Sequence, residues 1–265
     1  MTGWLKAVGT AGAALAATVA LSMVTSESAR PAQTIRPFGN VGVLMADGEH
    51  WCTASVVHSP RGNVVATAGH CVAPAGEDGE PGEVAGDGLA IGRLSFAPGF
   101  SGKGAGTQPY GLWKVTAVHV DERWTRYGDD TADFAFLTVA PDRYGRSLEE
   151  VTGKGAAPTP DWASAPDREV TVVGYPEPEH NPDNRPVSCT TQSRRDDADP
   201  EMLYISCAGF WTGTSGSPWV ADRGGPGRPG RLIGVLSGGE TDVDSTAAPF
   251  DARARKLYEA AAGEK

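Results

Sequence analysis

The sequence predicts an all-β fold, and three observations carry the prediction. Its 265 residues include 35 glycines and 20 prolines, a composition that favours short strands joined by tight turns over long helices. Short apolar runs rich in β-branched residues recur between polar, Gly- and Pro-containing stretches, which is how strands read in a sequence. A helical stripe closes the chain: Phe250, Ala254, Leu257, Tyr258 and Ala261 fall on one face. The length suits one large β domain or two small ones and suffices for an unaided core.

In chain order, Lys6 precedes an apolar run, residues 7–24, rich in Ala, Gly and Thr, followed by Thr25-Ser26-Glu27-Ser28-Ala29. This reads as a secretory signal, residues 1–29, with Ser26, Ser28 and Ala29 all open as the cleavage point. An uncleaved anchor is the alternative, though the run is barely long enough and poor in Leu and Ile. A short N-terminal segment, residues 30–36, precedes the domain proper at 37–262. Residues 37–45, 51–57 and 63–68 alternate or run apolar as strands, the last delivering His70 at its end. Residues 75–88 and 99–106 read as surface loops. Residues 110–120 read as a long strand leading to Trp124, and Asp129-Asp130-Thr131-Ala132 turns into Asp133 and the strand 134–139. A first half of about 37–144 ends there. Residues 145–168, rich in Gly, Pro and Ala, form the connection. The second half, about 169–249, contains strands at 169–175, 187–194, 202–208 and 231–239, with a polar loop at 176–186. The middle two are expected to pair with each other. A helix of about 250–262 ends the domain.

The formal net charge is −10, which argues against nucleic-acid binding, because phosphate contacts need a basic face. The four cysteines are an even number in a chain read as exported, so two disulfides are expected among the three possible pairings. No C-x-x-C pair occurs, which argues against a zinc or thioredoxin-type site. No metal or cofactor is expected.

Three motifs carry chemistry. Gly213-Thr214-Ser215-Gly216-Ser217-Pro218 places a serine between small residues; Thr67-Ala68-Gly69-His70-Cys71 holds a histidine; Ala132-Asp133-Phe134-Ala135-Phe136-Leu137 holds an aspartate before an apolar strand. A serine hydroxyl needs a base to become a nucleophile, and imidazole titrates near neutrality. A carboxylate fixes the imidazole tautomer and stabilises its charged form. The order His, Asp, Ser is one of several known for such triads.

With these motifs, and a cysteine directly after the histidine, the chain from about Phe38 to Ala262 resembles the secreted trypsin/chymotrypsin-like serine peptidases of bacteria. The resemblance implies two six-stranded antiparallel barrels (chymotrypsin-like) with a C-terminal helix. It implies His70 as general base, Asp133 as its partner in preference to Asp129 or Asp130, and Ser215 as nucleophile. The backbone N–H groups of Gly213 and Ser215 become the oxyanion hole. Ser237, Gly238 and Gly239 become the edge that binds substrate as an added strand, and Gly209 the base of the specificity pocket. It also selects the pairing Cys52–Cys71, leaving Cys189 with Cys207.

A glycine at the pocket base gives no sign of selectivity for Arg or Lys. Glu240, Asp242 and Asp244 follow the binding edge, more simply as a solvated loop than as a pocket charge. Leu236 stands where Glu-specific relatives carry a histidine. The residue before the nucleophile is Thr214, where animal relatives carry an aspartate that pairs with a new N-terminal ammonium, and the Ile-Val-Gly-Gly start of those enzymes is missing. The expected function is a secreted, monomeric serine endopeptidase acting on protein or peptide substrates, without stable membrane association. The alternatives are a silent protease-like domain that binds a protein partner and a membrane-tethered regulatory protease.

Overall fold

The computed structural model describes residues 29–82, 91–224 and 228–263; residues 1–28 of the expected signal and residues 83–88 of the expected loop 75–88 lie outside them. The described chain opens with two very short strands, β1 (Arg30–Pro31) and β2 (Gln33–Thr34). It then builds a barrel from β3 (Val41–Ala46), β4 (Glu49–Val57), β5 (Val64–Thr67), β6 (Leu94–Pro98), β7 (Trp113–Val120) and β8 (Ala135–Val139). The barrel is closed and antiparallel, in the order β3-β4-β5-β8-β7-β6. Two short helices follow its strands, α1 (Glu122–Tyr127) and α2 (Leu148–Thr152).

Alternation explains how this barrel packs on two sides. Along β5, Val65 points into the barrel with Leu44, Val56, Phe96, Val115 and Leu137. Its neighbours Val64 and Ala66 point outward, where Phe136 of β8 and Phe134 join them. Successive side chains on a strand face opposite ways, so a strand buried on both faces reads as a continuous apolar run. The outward face is covered by the C-terminal helix α3 (Ala252–Ala262). Asp251 caps that helix by accepting from the Arg253 and Ala254 amides, and Gly263 ends it in the left-handed conformation. Phe136 and Phe250 lie 5.2 Å apart between ring centroids, and Trp162 stacks on Phe250 at 6.0 Å.

The second half adds β9 (Thr159–Pro160), β10 (Glu169–Gly174), β11 (Val187–Gln192), β12 (Arg194–Arg195), β13 (Leu203–Ala208), β14 (Pro218–Ala221), β15 (Arg231–Gly238) and β16 (Asp244–Pro249). Six of these wrap a second core containing Val172, Ile205, Trp219 and Ile233. The path runs β1-β13-β16-β15-β14-β10-β11-β2, a nearly closed barrel. The sequence-based pairing of 187–194 with 202–208 is corrected here. Within that stretch only the two-residue β12 pairs with β13, whereas β11 pairs with β10 and β2. The N-terminal segment supplies the reason: β1 takes one flank of β13, and β2 takes the free edge of β11. An otherwise bare strand edge is thereby covered. The disulfide Cys189–Cys207 ties β11 to β13 across that seam, and Cys52–Cys71 ties β4 to the residue after His70.

The aromatic cluster under α3 predicts a large stability effect. Phe250→Ala should cost about 3–5 kcal/mol, as for other buried Phe truncations. Tyr144→Ala, at a residue 68% exposed, should stay within about 0.5 kcal/mol. Urea unfolding midpoints of both variants check this, and equal small losses would refute the packing account.

Candidate active site

Asp133 is the most constrained group of the site. It caps a 3₁₀ turn, Asp130–Ala132, which Asp129 begins by accepting from the Thr131 amide. Its side chain is 2% exposed, and a buried carboxylate must be fully hydrogen-bonded. Three donors meet it. The His70 amide donates to Oδ1 at 2.7 Å, and His70 Nδ1 lies 2.8 Å from Oδ2. The Ser237 hydroxyl donates to Oδ2 as well. Of the three neighbouring aspartates, therefore, Asp133 is the one on His70; Asp129 is engaged with Thr131 and Arg123.

Each donor arrives by a local device. His70 follows β5 and is held by the disulfide at Cys71; its ring lies beside Trp124 of α1, whose Nε1 donates to the Ala73 carbonyl. Ser237 sits where the β15–β16 register shifts, between Leu236↔Ala247 and Gly238↔Thr246. A bulge of this kind re-aims a side chain, and here it turns the hydroxyl of a second-barrel residue onto a first-barrel carboxylate. The sequence marks Ser237 only as part of the binding edge; its contact with Asp133 has no motif that could have revealed it.

Ser215 lies at the turn between β13 and β14, and the peptides before it are pinned by their carbonyls. The Thr212 carbonyl accepts the Glu177 amide at 2.7 Å. The Thr214 carbonyl accepts the Ser217 amide at 2.9 Å and the Ser217 hydroxyl at 2.6 Å. No described peptide is cis, and in a trans peptide the N–H points opposite the C=O. The amides of Gly213 and Ser215 are thus both turned away from these partners. Gly213 has φ +90°, and a Cβ there would lie 2.9 Å from the Glu177 nitrogen. A Cβ on Gly216 would lie 2.2 Å from Thr67 Oγ1. Only glycine suits either position. Thr214 is buried; its hydroxyl donates to the Trp211 carbonyl at 2.7 Å and its amide to the same oxygen at 3.1 Å.

The residues expected to form the binding edge and the pocket base also have defined places. Gly238 and Gly239 are exposed. The Gly209 amide donates to the Asp242 carbonyl at 2.9 Å. The Asp244 carboxylate accepts from the Glu240 and Thr241 amides and the Thr241 hydroxyl, closing its own turn.

His50 lies behind the loop that carries Gly213. Its ring meets Tyr175 edge-on at 6.5 Å, and its Cε1 would be 3.3 Å from a Cβ on Gly213. Both ring nitrogens are buried without a well-formed hydrogen bond. Burial pushes its pKa down to about 4, an effect the Gly213 backbone and the Asn184 side chain partly offset.

Comparison with known proteins places the chain in a family. Residues 52–235 match the family model of the trypsin-like peptidase domain. No curated protein matches the chain. Among solved structures, the chain is similar to the protease Anisep from Arthrobacter nicotinovorans, with a TM-score of 0.72 and 23% identity over 88% of this chain and 99% of that one. It is similar to the thermostable serine protease AL20 from an extremophilic microorganism, at 0.70 and 23% over 86% and 98%. A Glu endopeptidase follows at 0.65 and 16% over 88% and 97%. These three likenesses concern the fold.

His50 makes stability pH-dependent with a defined sign. Its pKa is about 4 in the folded chain against an ordinary value of 6.5, so the folded state binds its proton less readily than the unfolded one. The contribution is intact above pH 6.5 and is lost as pH falls from there toward about 4, approaching roughly 3 kcal/mol at the limit. Denaturant unfolding at pH 7 and near the lower bound should therefore show a steeper loss in the wild type than in His50→Gln. Parallel losses would contradict the assignment.

Proposed function

Since the chain belongs to the trypsin-like peptidase family and is a serine endopeptidase, we propose that it cleaves peptide bonds through an acyl-enzyme formed on Ser215, with His70 and Asp133 completing the triad. The observation that carries this reading is the buried Asp133 carboxylate bound to His70 Nδ1 at 2.8 Å. With Nδ1 committed to Asp133, Nε2 is the ring nitrogen that takes the Ser215 proton as the hydroxyl attacks the scissile carbonyl. The same nitrogen then delivers that proton to the leaving amine. Water repeats the sequence in reverse to release the acid and regenerate Ser215.

The amides of Gly213 and Ser215 receive the oxyanion. Preorganised donors of this kind act on charge that develops in the tetrahedral intermediate, where they are worth most. The peptide substrate lies along Ser237, Gly238 and Gly239 as an added strand, with Gly209 at the base of its primary pocket. The protein works as a secreted monomer; its two disulfides fit an oxidising compartment.

The hole is ordered in the protein as folded, without a zymogen switch. Thr214 carries no charge and is satisfied by the Trp211 carbonyl. An ammonium inserted beside it would be buried without a counter-ion, at a cost of several kcal/mol.

Two outcomes are expected. Ser215→Ala should lose about three or more orders of magnitude in kcat/KM against a peptide substrate, retaining a residue from the hole and substrate binding; full activity in that variant would sink the reading. A chain begun near Arg30 with its terminus acetylated should titrate to nearly the same active fraction as the free-terminus chain. Activity restored only by a defined clip would reveal a switch that this account denies.

A further inference from the structure

One buried residue of the first barrel, outside the triad, bonds the loop around Ser215 at two points, through its side chain and through its backbone. Thr53 is fully buried on β4, next to Cys52 and hence to the disulfide that anchors His70. Its hydroxyl donates to the Gly213 carbonyl at 3.0 Å and accepts the Tyr175 amide at 2.9 Å. Its amide donates to the Ser215 carbonyl at 2.8 Å, and its carbonyl accepts the Thr67 hydroxyl at 2.9 Å. One residue thereby joins the first barrel to the two positions whose amides face the oxyanion.

We infer that Thr53 is a positioning residue for peptide hydrolysis, its hydroxyl holding the Gly213–Thr214 peptide so that the Gly213 amide stays aimed at the oxyanion. The inference rests on the reading of Gly213 and Ser215 as the oxyanion donors. Its physical basis is the freedom of glycine. At φ +90° no Cβ resists rotation about Gly213, so hydrogen bonds on both sides must fix it. The Glu177 amide holds the peptide before Gly213 and the Thr53 hydroxyl the peptide after it. Without the hydroxyl, the Gly213 carbonyl and the Tyr175 amide both lose a buried partner, and such groups turn toward whatever partner remains. The Thr53 amide stays on Ser215 in any variant, because it belongs to the backbone. Nucleophile placement and hole placement therefore separate on the side chain alone.

The test compares Thr53→Val, which keeps shape and removes the hydroxyl, with Thr53→Ser, which keeps the hydroxyl. Rates are taken per titrated active site. In Thr53→Val, kcat should fall about 10–100-fold, somewhat less than deletion of a whole oxyanion donor, with KM changed less than about threefold. A peptide boronic acid, whose tetrahedral adduct puts an oxygen in the hole, should lose affinity by about the same factor as kcat. A non-covalent product peptide should bind as before. Thr53→Ser should retain wild-type behaviour within about threefold. A residue that served packing alone would lower melting temperature and active fraction but leave per-site kcat and boronate affinity unchanged, and that result overturns the inference. So does an equal defect in Thr53→Ser. If Thr53→Val does not fold, Thr53→Ala against Thr53→Ser isolates the same hydroxyl. A wild type that titrates normally while Thr53→Val keeps its kcat sinks this inference alone; a fully active Ser215→Ala sinks the catalytic reading beneath it.

Discussion

The site depends on one buried charge. Asp133 lies almost wholly out of water, and a carboxylate there is tolerable only if its oxygens are met by donors. Those donors come from both halves of the molecule: the amide and ring of His70 from the first barrel, and the hydroxyl of Ser237 from the second. Satisfying the charge therefore fixes the imidazole and at the same time docks the two barrels at the cleft.

The same economy recurs around Ser215. No side chain could hold the turn at Gly213 and Gly216, since neither position accepts a Cβ. Order is supplied by carbonyls, each occupied by a partner from a different element: Glu177 from the loop after β10, Ser217 from the turn itself, Thr53 from the first barrel. What the chain gives up in side chains at the turn, it recovers in cross-links to structure that is already buried. Thr214, where a charged switch residue stands in animal relatives, becomes one more neutral cross-link through the Trp211 carbonyl.

Much of this was legible in the sequence, and the parts that were not have a common cause. Five strands of the first barrel (β3, β4, β5, β7 and β8), β10 and α3 announce themselves through local pattern, as do the motifs around His70, Asp133 and Ser215. β6, β14 and β16 do not: Leu94–Pro98, Pro218–Ala221 and Asp244–Pro249 contain proline, serine or alanine where strand signals need β-branched residues. They are strands because partners lie on both sides. The pairing partner of β11 was misread for the same reason, since a two-residue segment near residue 33 has no local signature yet takes the edge. Thr53 reads as one more β-branched residue in a run, and His50 as an unremarked histidine before Trp51. Their importance arises only when the second barrel brings Gly213 against them.

The central claim is that Asp133, through His70, makes Ser215 a nucleophile. It is tested most directly by exposing the protein to a serine-directed peptidyl phosphonate and locating the adduct by mass spectrometry. The account predicts one adduct per chain, on Ser215, formed rapidly in the wild type and slower by about 10⁴-fold in Asp133→Asn, where the tautomer of His70 is wrong. An adduct on any other residue, or equal labelling rates in the two proteins, would contradict it.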